Sequence, residues 1–277
     1  MVEDSTSLEN PQLLAKHGLC IFVEVKIDEL QEVAIMMDTG PSPEVISHNI
    51  NILNLDVNKI DAIVLSHGHY DHVGGLQELL KRISKQIPVV AHPKIFNPKF
   101  SYKPSLRYIG ASFKQSNVET AAALLFASNP VTIAKGVMTT GEIERKVKFE
   151  KVDEFLTVEE GMFKQDIFQD DQALVVSLDG KGLVVISGCA HSGLINTIKH
   201  AQKITGVSNV YAVLGGFHLL KANEDRIEAT IDELLKLNLK MVRPCHCTGH
   251  RAVNRLTGAF GERCVPIKTG DVVKIQS

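Results

Sequence analysis

Ten consecutive residues hold the densest chemistry in this sequence: Ser66-His67-Gly68-His69-Tyr70-Asp71-His72-Val73-Gly74-Gly75. His67 and His69 stand two apart, so in an extended segment they project to the same side. Asp71 and His72 then present a second pair where the chain turns into the next helix. Three imidazoles and a carboxylate within six residues are costly to bury without a partner. A metal ion supplies one, since His and Asp are good ligands for zinc and for iron or manganese. The competing reading is a polar loop or surface histidine cluster without metal. It fits poorly with the apolar run that leads into the motif and the Gly-Gly turn that follows.

The elements that must position these groups alternate along the whole chain. Gly18–Val25 and Glu32–Met37 read as paired strands, and Asn10 with Pro11 as the capped start of a short helix. Pro43–Leu55 is expected to be helical, Asp61–Ser66 a buried strand, Val73–Lys85 a helix and Pro88–Ala91 a strand. Residues 96–116 lack periodicity and read as an irregular insert or lid. Val118–Ala127 is expected to be helical, and Val131–Phe149 strand and turn. Asp171–Ser187 is a hairpin, with ALVVSL and GLVVIS flanking Asp179-Gly180-Lys181-Gly182. Then come a helix (Leu194–Ile204), a buried strand (Val210–Leu214) and an amphipathic helix (Glu224–Leu237) with Ile227, Ile231, Leu234 and Leu235 on one face. A strand (Lys240–Arg243), a helix (His250–Ala259) and a closing strand pair (Val265–Ile275) complete the chain. Two antiparallel-rich halves covered by helices imply a four-layer α/β sandwich rather than a doubly wound parallel sheet.

Three more histidines sit in turns at strand ends, where α/β folds collect functional groups. They lie in Gly188-Cys189-Ala190-His191-Ser192-Gly193, Gly215-Gly216-Phe217-His218-Leu219 and Pro244-Cys245-His246-Cys247-Thr248-Gly249. His218 follows glycines that permit close backbone approach. It reads as a substrate contact or proton-transfer group, against the plainer reading of a capping or core histidine. In an extended segment Cys245 and Cys247 would point away from the face that His246 uses. They read better as packing cysteines than as a zinc knuckle with His250. His17, His48, His92 and His200 show no supporting pattern and read as structural.

An apolar strand running into H-x-H-x-D-H resembles the start of the metal site in the metallo-β-lactamase superfamily. The resemblance implies an α/β fold, the four-layer αββα metallo-β-lactamase sandwich, spanning residues 1–277 as one domain. It implies a buttressing role for Asp38 in MMDTG, which otherwise reads as a turn and helix cap. It implies metal ligands at His67, His69, Asp71, His72, His191 and His246, with Asp71 and His218 as the catalytic candidates. Many superfamily members carry an Asp that bridges two metals after the strand matching GLVVIS. Here Cys189 stands there, and it reads equally as a thiolate ligand or a small buried residue. His67, His69 and His191 are therefore expected to hold one ion, while a second at Asp71, His72 and His246 stays open. Zinc is the expected metal, with manganese, iron or magnesium as alternatives.

Four segments narrow the resemblance: LSHGHYDHVGGL, SGCAHSGLINTI, LGGFHL and PCHCTG. They are similar to the branch that includes the dihydropterin–ribofuranosylaminobenzene phosphate synthase of methanopterin biosynthesis. Members begin with a strand ahead of the segment matching VEDSTS. Here Met1 abuts that segment, so that first strand is expected to be missing. The resemblance implies transfer of a pterin-methyl group from its diphosphate to an arylamine ribose phosphate. It thus implies a small phosphorylated, pterin-like substrate. The alternatives are a metal-dependent hydrolase of a phosphoester, ester or thioester, in which bound water is activated near neutral pH, and a metal-bound sensor or ligand-binding protein without turnover.

Bulk composition excludes other classes. The chain of 277 residues is 44% hydrophobic and 22% charged, ordinary for a globular protein with a sizeable core. A formal charge of −2 lacks the basic field of a nucleic-acid binder. No apolar run approaches the ~18–20 residues that span a membrane. Five cysteines, an odd and sparse set, do not make a disulfide framework, and a cytoplasmic location is expected. Nothing in the pattern speaks to oligomeric state.

Overall fold

Strong β-formers flank tight turns in the first half of the chain, and a computed structural model, describing residues 2–151 and 154–275, pairs them. Strand β1 (Ile21–Lys26) turns into β2 (Glu32–Met37), followed by helix α1 (Pro43–Ile52), β3 (Ala62–Val64), α2 (Tyr70–Val73), α3 (Leu76–Arg82) and β4 (Pro88–Ala91). Next come β5 (Lys99–Ser101), β6 (Arg107–Tyr108), α4 (Gln115–Glu119), β7 (Ala123–Phe126), β8 (Thr132–Ala134), β9 (Val137–Thr139), β10 (Phe155–Glu159) and β11 (Met162–Gln165). The second half adds β12 (Ala173–Leu178), β13 (Gly182–Ser187), α5 (Leu194–Thr205), β14 (Val210–Gly216), α6 (Glu224–Lys236), β15 (Met241–Cys245) and α7 (His250–Phe260).

One sheet runs β1-β2-β3-β4-β7 and a second β15-β14-β13-β12-β9-β8. Their inward faces share a core in which Ile35, Met37, Val64 and Val90 meet Leu174, Val184, Ile186 and Leu214. Alternate residues of the same strands face outward. Met36, Ile63, Leu65 and Val89 pack under Ile46, Leu76 and Leu79 of the first helical layer. Val175, Val185 and Val213 pack under Ile195, Ile198, Ile227, Ile231 and Leu256 of the second. Period-two strands sandwiched by period-3.6 helices therefore give four layers in the order αββα.

Several details differ from the sequence expectation. Both large sheets are mixed: β2-β3-β4-β7 and β13-β14-β15 pair in parallel, so the halves are less antiparallel than expected. The stretch 118–127 is not one helix, because α4 ends at Glu119 and Ala123–Phe126 is a strand beside β4. Its exposure alternates along an edge, the period of a strand. The insert at 96–116 contains β5 and β6, which join β10 and β11 in a small antiparallel sheet, order β11-β10-β5-β6. Asn10-Pro11 begins a turn, not a helix, and Leu13 N donates to Asn10 O. Within 265–275 there is an isolated bridge between Thr269 and Thr6 instead of a strand pair. On α6 the buried stripe is Ile227, Ile231 and Leu234, while Leu235 faces solvent.

Among the described residues no helix is long and apolar enough to cross a membrane.

Candidate metal centre

Each histidine-bearing turn leaves the end of a strand on the same edge of the sandwich. β3 runs into His67 and His69, and α2 carries Asp71 and His72. β13 leads to Cys189 and His191, β14 to His218, and β15 to His246. The structure brings all of these together. His67, Cys189 and His191 offer donor atoms within 4.8 Å of one another, as do His72, Cys189 and His246. Cys189 belongs to both groups. His69 meets the first group through a 3.1 Å contact between its Nδ1 and His67 Nε2. Asp71 meets the second, with Oδ2 3.4 Å from His246 Nε2 and 3.7 Å from His72 Nε2.

Two carboxylates, buried Asp38 and exposed Asp4, fix how the imidazoles face. Asp38 Oδ1 accepts Ser66 N at 2.7 Å, and Oδ2 accepts Ser66 Oγ at 2.7 Å. His72 Nδ1 also donates to Asp38 Oδ2 at 2.7 Å. The buttress implied for Asp38 is therefore present. Having given its only proton to Asp38, Ser66 Oγ can only accept from His67 Nδ1, 2.9 Å away. His246 Nδ1 donates to Asp4 Oδ1 at 2.7 Å. With Nδ1 of all three rings turned to these partners, it is Nε2 of each that faces the cluster.

That arrangement calls for a cation. His72 Nε2 and His246 Nε2 lie 3.2 Å apart, and two lone pairs repel at that distance unless a proton or metal stands between them. Burial also leaves His69 Nε2 and both ring nitrogens of His191 without a hydrogen-bond partner, a cost of roughly 1–3 kcal/mol each. Burial, followed by neighbouring imidazoles or Lys99, pushes the pKa of His67 and His191 well below the usual range. It pushes His69 down to about 3. These rings are neutral, the form that binds metal. His246 differs: against its burial, hydrogen bonds to Asp4 and Asp71 raise its pKa well above the ordinary value. Burial would raise Asp71, but His72 and the hydrogen-bonded His246 hold it below the usual carboxylate range. Burial pushes the Cys189 thiol up. An imidazole–carboxylate set with one thiol suits a transition metal such as zinc or iron, and magnesium poorly.

The backbone is strained at the same place. Among the described residues five of the eight non-glycine positions with left-handed φ are Asp38, Phe168, Ala190, His218 and His246, each in or beside the cluster. Such conformations cost about 1–3 kcal/mol apiece and gather at functional sites. Gly188 is required by close approach, since a Cβ there would lie 2.1 Å from Ser66 Oγ.

His218 is half-buried, its ring 4.2 Å from that of His191, and it opens onto a cavity beside the cluster. Cys247 does not point away from the site. His246 adopts a left-handed φ of 51° at the start of a 3-10 turn, which breaks strand alternation. Cys247 then joins Cys189 and His218 in a third close group. Cys245 is buried and belongs to none of these groups, and His250 is exposed at the start of α7, so no zinc knuckle forms.

Sequence reading missed several neighbours. An antiparallel bridge between Val2 and Cys20 carries Glu3 and Asp4 to His246, whose backbone N donates to Glu3 Oε1 at 2.8 Å. His17, read as structural, lies 3.3 Å from Asp71 Oδ2 and 2.9 Å from Asp4 Oδ2. Phe168 stacks on His191 at 4.0 Å with the rings 2° from parallel. No local motif marks any of them.

These elements and this cluster define a metallo-β-lactamase sandwich with a histidine-rich centre at one edge. The family model of the metallo-beta-lactamase superfamily matches residues 17–192, and the chain belongs to that superfamily. More particularly, it is 35% identical to the 7,8-dihydropterin-6-methyl-4-(beta-D-ribofuranosyl)-aminobenzene-5'-phosphate synthase of Methanocaldococcus jannaschii, over 99% of this chain and 95% of that one. It is 30% identical, over 89% of each chain, to an uncharacterized protein of the same organism. A crystal structure of a metal-dependent hydrolase of the beta-lactamase superfamily superposes with a TM-score of 0.82 at 28% identity, covering 100% of this chain and 97% of that one. Zn(2+)-bound PqqB from Methylobacterium extorquens shares the fold at a TM-score of 0.53 and 12% identity, over 91% and 86% of the two chains.

Proposed function

We propose that this chain is a metal-dependent transferase that joins a dihydropterin-methyl group, supplied as its diphosphate, to an arylamine ribose phosphate. The likeness to the synthase over nearly the whole of both chains carries this reading. The cluster supports it chemically. His67, His69 and His191 would hold one ion, Asp71, His72 and His246 a second, and Cys189 would stand between them. Zinc fits this donor set. A bound ion supplies positive charge where the departing diphosphate becomes more negative.

The chain's own residues do the rest. The amine nitrogen bonds to the pterin methylene carbon, the bond to diphosphate oxygen breaks, and the nitrogen loses a proton. His218, beside the cavity with its Nδ1 buried and unpartnered, would take that proton. Asp71, tied to His17 and His246, would hold charge at the inner wall. Phe155 and Phe168, packed at 5.2 Å, would keep water from the reacting carbon. Five free, buried cysteines fit a reducing compartment, and we place the enzyme in the cytoplasm.

The test is incubation of purified, metal-replete protein with dihydropterin-methyl diphosphate and the arylamine ribose phosphate. Coupled product with stoichiometric diphosphate is expected, and its absence removes the transferase reading. The 0.82 superposition on a metal-dependent hydrolase favours hydrolysis as the second reading, tested on phosphoester and thioester panels.

A further inference from the structure

Beside the cluster opens a cavity of about 360 Å³. His218, Cys247 and His17 line it, so it borders the histidine centre. Lys103, Lys151, Lys221 and Arg226 also line it, with Glu154 as the one carboxylate among the described lining residues. Among the described lining residues four positive groups face one carboxylate. Four cations thus meet at one concave wall, which focuses their field.

The four cations differ in how they are held. Lys221 Nζ pairs with Glu154 Oε2 at 2.5 Å, and Arg226 Nη1 donates to Lys151 O at 2.8 Å. Among the described residues neither Lys103 nor Lys151 has an ion-pair partner. Lys103 and Lys151 come from loops flanking the small sheet, while Lys221 and Arg226 come from the β14–α6 connection and the first turn of α6. Segments far apart in sequence thus contribute the same charge to one wall. An aromatic side chain, Phe155, lies in the same cavity, its ring 6.0 Å from His218.

We propose that this wall is a phospho-anion seat, in which Lys103, Lys151, Lys221 and Arg226 hold a phosphate or diphosphate group of the substrate while the remainder of the molecule reaches the metal centre past Phe155 and His218. The proposal deepens the function above and rests on that reading for the identity of the substrate. The shared chemistry is a multiply charged phosphate ester or anhydride. Lysine ammonium groups bind it as movable point charges, and Arg226 can add a forked contact. Glu154 acts as a placeholder, holding Lys221 in position until an anion arrives.

Calorimetric titration of the protein as purified separates the two sources of such a group, with inorganic diphosphate in one arm and ribose 5-phosphate in the other. Tighter binding of diphosphate assigns the wall to the leaving group, and tighter binding of ribose 5-phosphate assigns it to the acceptor. Lys103→Ala and Lys221→Ala should each weaken the preferred anion about tenfold, and together about a hundredfold. Lys221→Arg should restore most of the loss. Glu154→Gln removes the competing carboxylate and should tighten binding several-fold, a gain that a damaged fold cannot produce. Affinity should fall steeply between low and moderate salt. Metal content, measured on each variant, should match the parent.

Unchanged affinity in the double lysine variant, or no binding of either anion by the parent, overturns the proposal. Its failure is distinct from failure of the transferase reading. Coupled product with an unchanged KM in the lysine variants would leave the reaction standing and sink the seat. Lysine-dependent anion binding without coupled product would do the reverse.

Discussion

Replacing Asp38 with Asn should lower metal affinity at the His72 position while leaving the fold. Asp38 is fully buried and serves three donors: Ser66 N through Oδ1, and Ser66 Oγ and His72 Nδ1 through Oδ2. In Asp38→Asn the amide oxygen can keep Ser66 N, and the NH2 group then takes the place of Oδ2. An NH2 cannot accept from His72 Nδ1. The imidazole must therefore move its proton to Nε2 and accept at Nδ1. That proton occupies the lone pair that faces Cys189 Sγ at 3.1 Å and His246 Nε2 at 3.2 Å, so His72 stops being a ligand. Partners that orient a ligating histidine are worth about 10–100-fold in metal affinity, or about 1.4–2.7 kcal/mol. By contrast Asp38→Ala strands the same donors in a dry interior at roughly 1–3 kcal/mol each, a large part of a typical total stability of about 5–15 kcal/mol. Competition with a chromophoric chelator measures affinity, thermal unfolding measures stability, and nitrogen-15 shifts of the imidazoles read the tautomer. Metal affinity unchanged in Asp38→Asn would refute the tautomer argument, even if Asp38→Ala unfolds.

Other outcomes follow from the same geometry. Cys189→Ser should lower the metal-to-protein ratio if the thiol stands between two ions, and leave it unchanged if Cys189 only fills space; elemental analysis decides. His67→Ala should empty the first position without unfolding the sandwich, and an unaltered metal content would count against the ligand assignment. Metal affinity should rise with pH, because the raised pKa of His246 keeps a proton on it that an incoming ion must expel, whereas His67, His69 and His191 are already neutral. The same titration in Asp4→Asn should show its inflection at lower pH. Glu150 accepts Ile195 N and Asn196 N, both at 2.8 Å, at the start of α5, so Glu150→Ala should cost about 2–4 kcal/mol in chemical denaturation. A loss below 0.5 kcal/mol would show that water replaces the carboxylate.

What was legible in the sequence is what short-range geometry encodes. H-x-H-x-D-H could be read because alternation along an extended segment places His67 and His69 together, and because each apolar strand ends in its own histidine turn. The position of α6 followed from apolar periodicity. The layer order followed from elements that each need one face covered. Cys247 was misplaced because the alternation rule assumes an extended backbone, and the left-handed His246 breaks it. Glu3, Asp4 and His17 were invisible because they reach the site through a bridge between Val2 and Cys20, a contact that no local pattern announces. The small sheet was missed because strands of two to five residues are too short to show a period. Its importance is structural and local: it carries Phe155 and Lys99 to the rim of the site.

Lys99 shows how the centre can hold its shape before any ion arrives. Its ammonium is buried, 3.0 Å from Asp166 and 2.9 Å from Asp170, and those carboxylates raise its pKa against the cost of burial. The other oxygen of Asp170 accepts Gly68 N at 2.8 Å, between the two leading histidines. Asp38 fixes Ser66 and His72, Asp4 fixes His246, and Asp171 accepts Ser192 N beside His191 at 2.7 Å. The turns that carry His67, His72, His191 and His246 are thus each tied by a carboxylate. Left-handed residues in those turns would relax if untied, at a gain of about 1–3 kcal/mol each. The ties oppose that relaxation, so an ion would meet the imidazoles already in place and need not organise them. This differs from a zinc finger, in which folding itself waits for the metal. A sandwich with three shared apolar cores has the stability to carry that strain, and the site's geometry is a property of the chain.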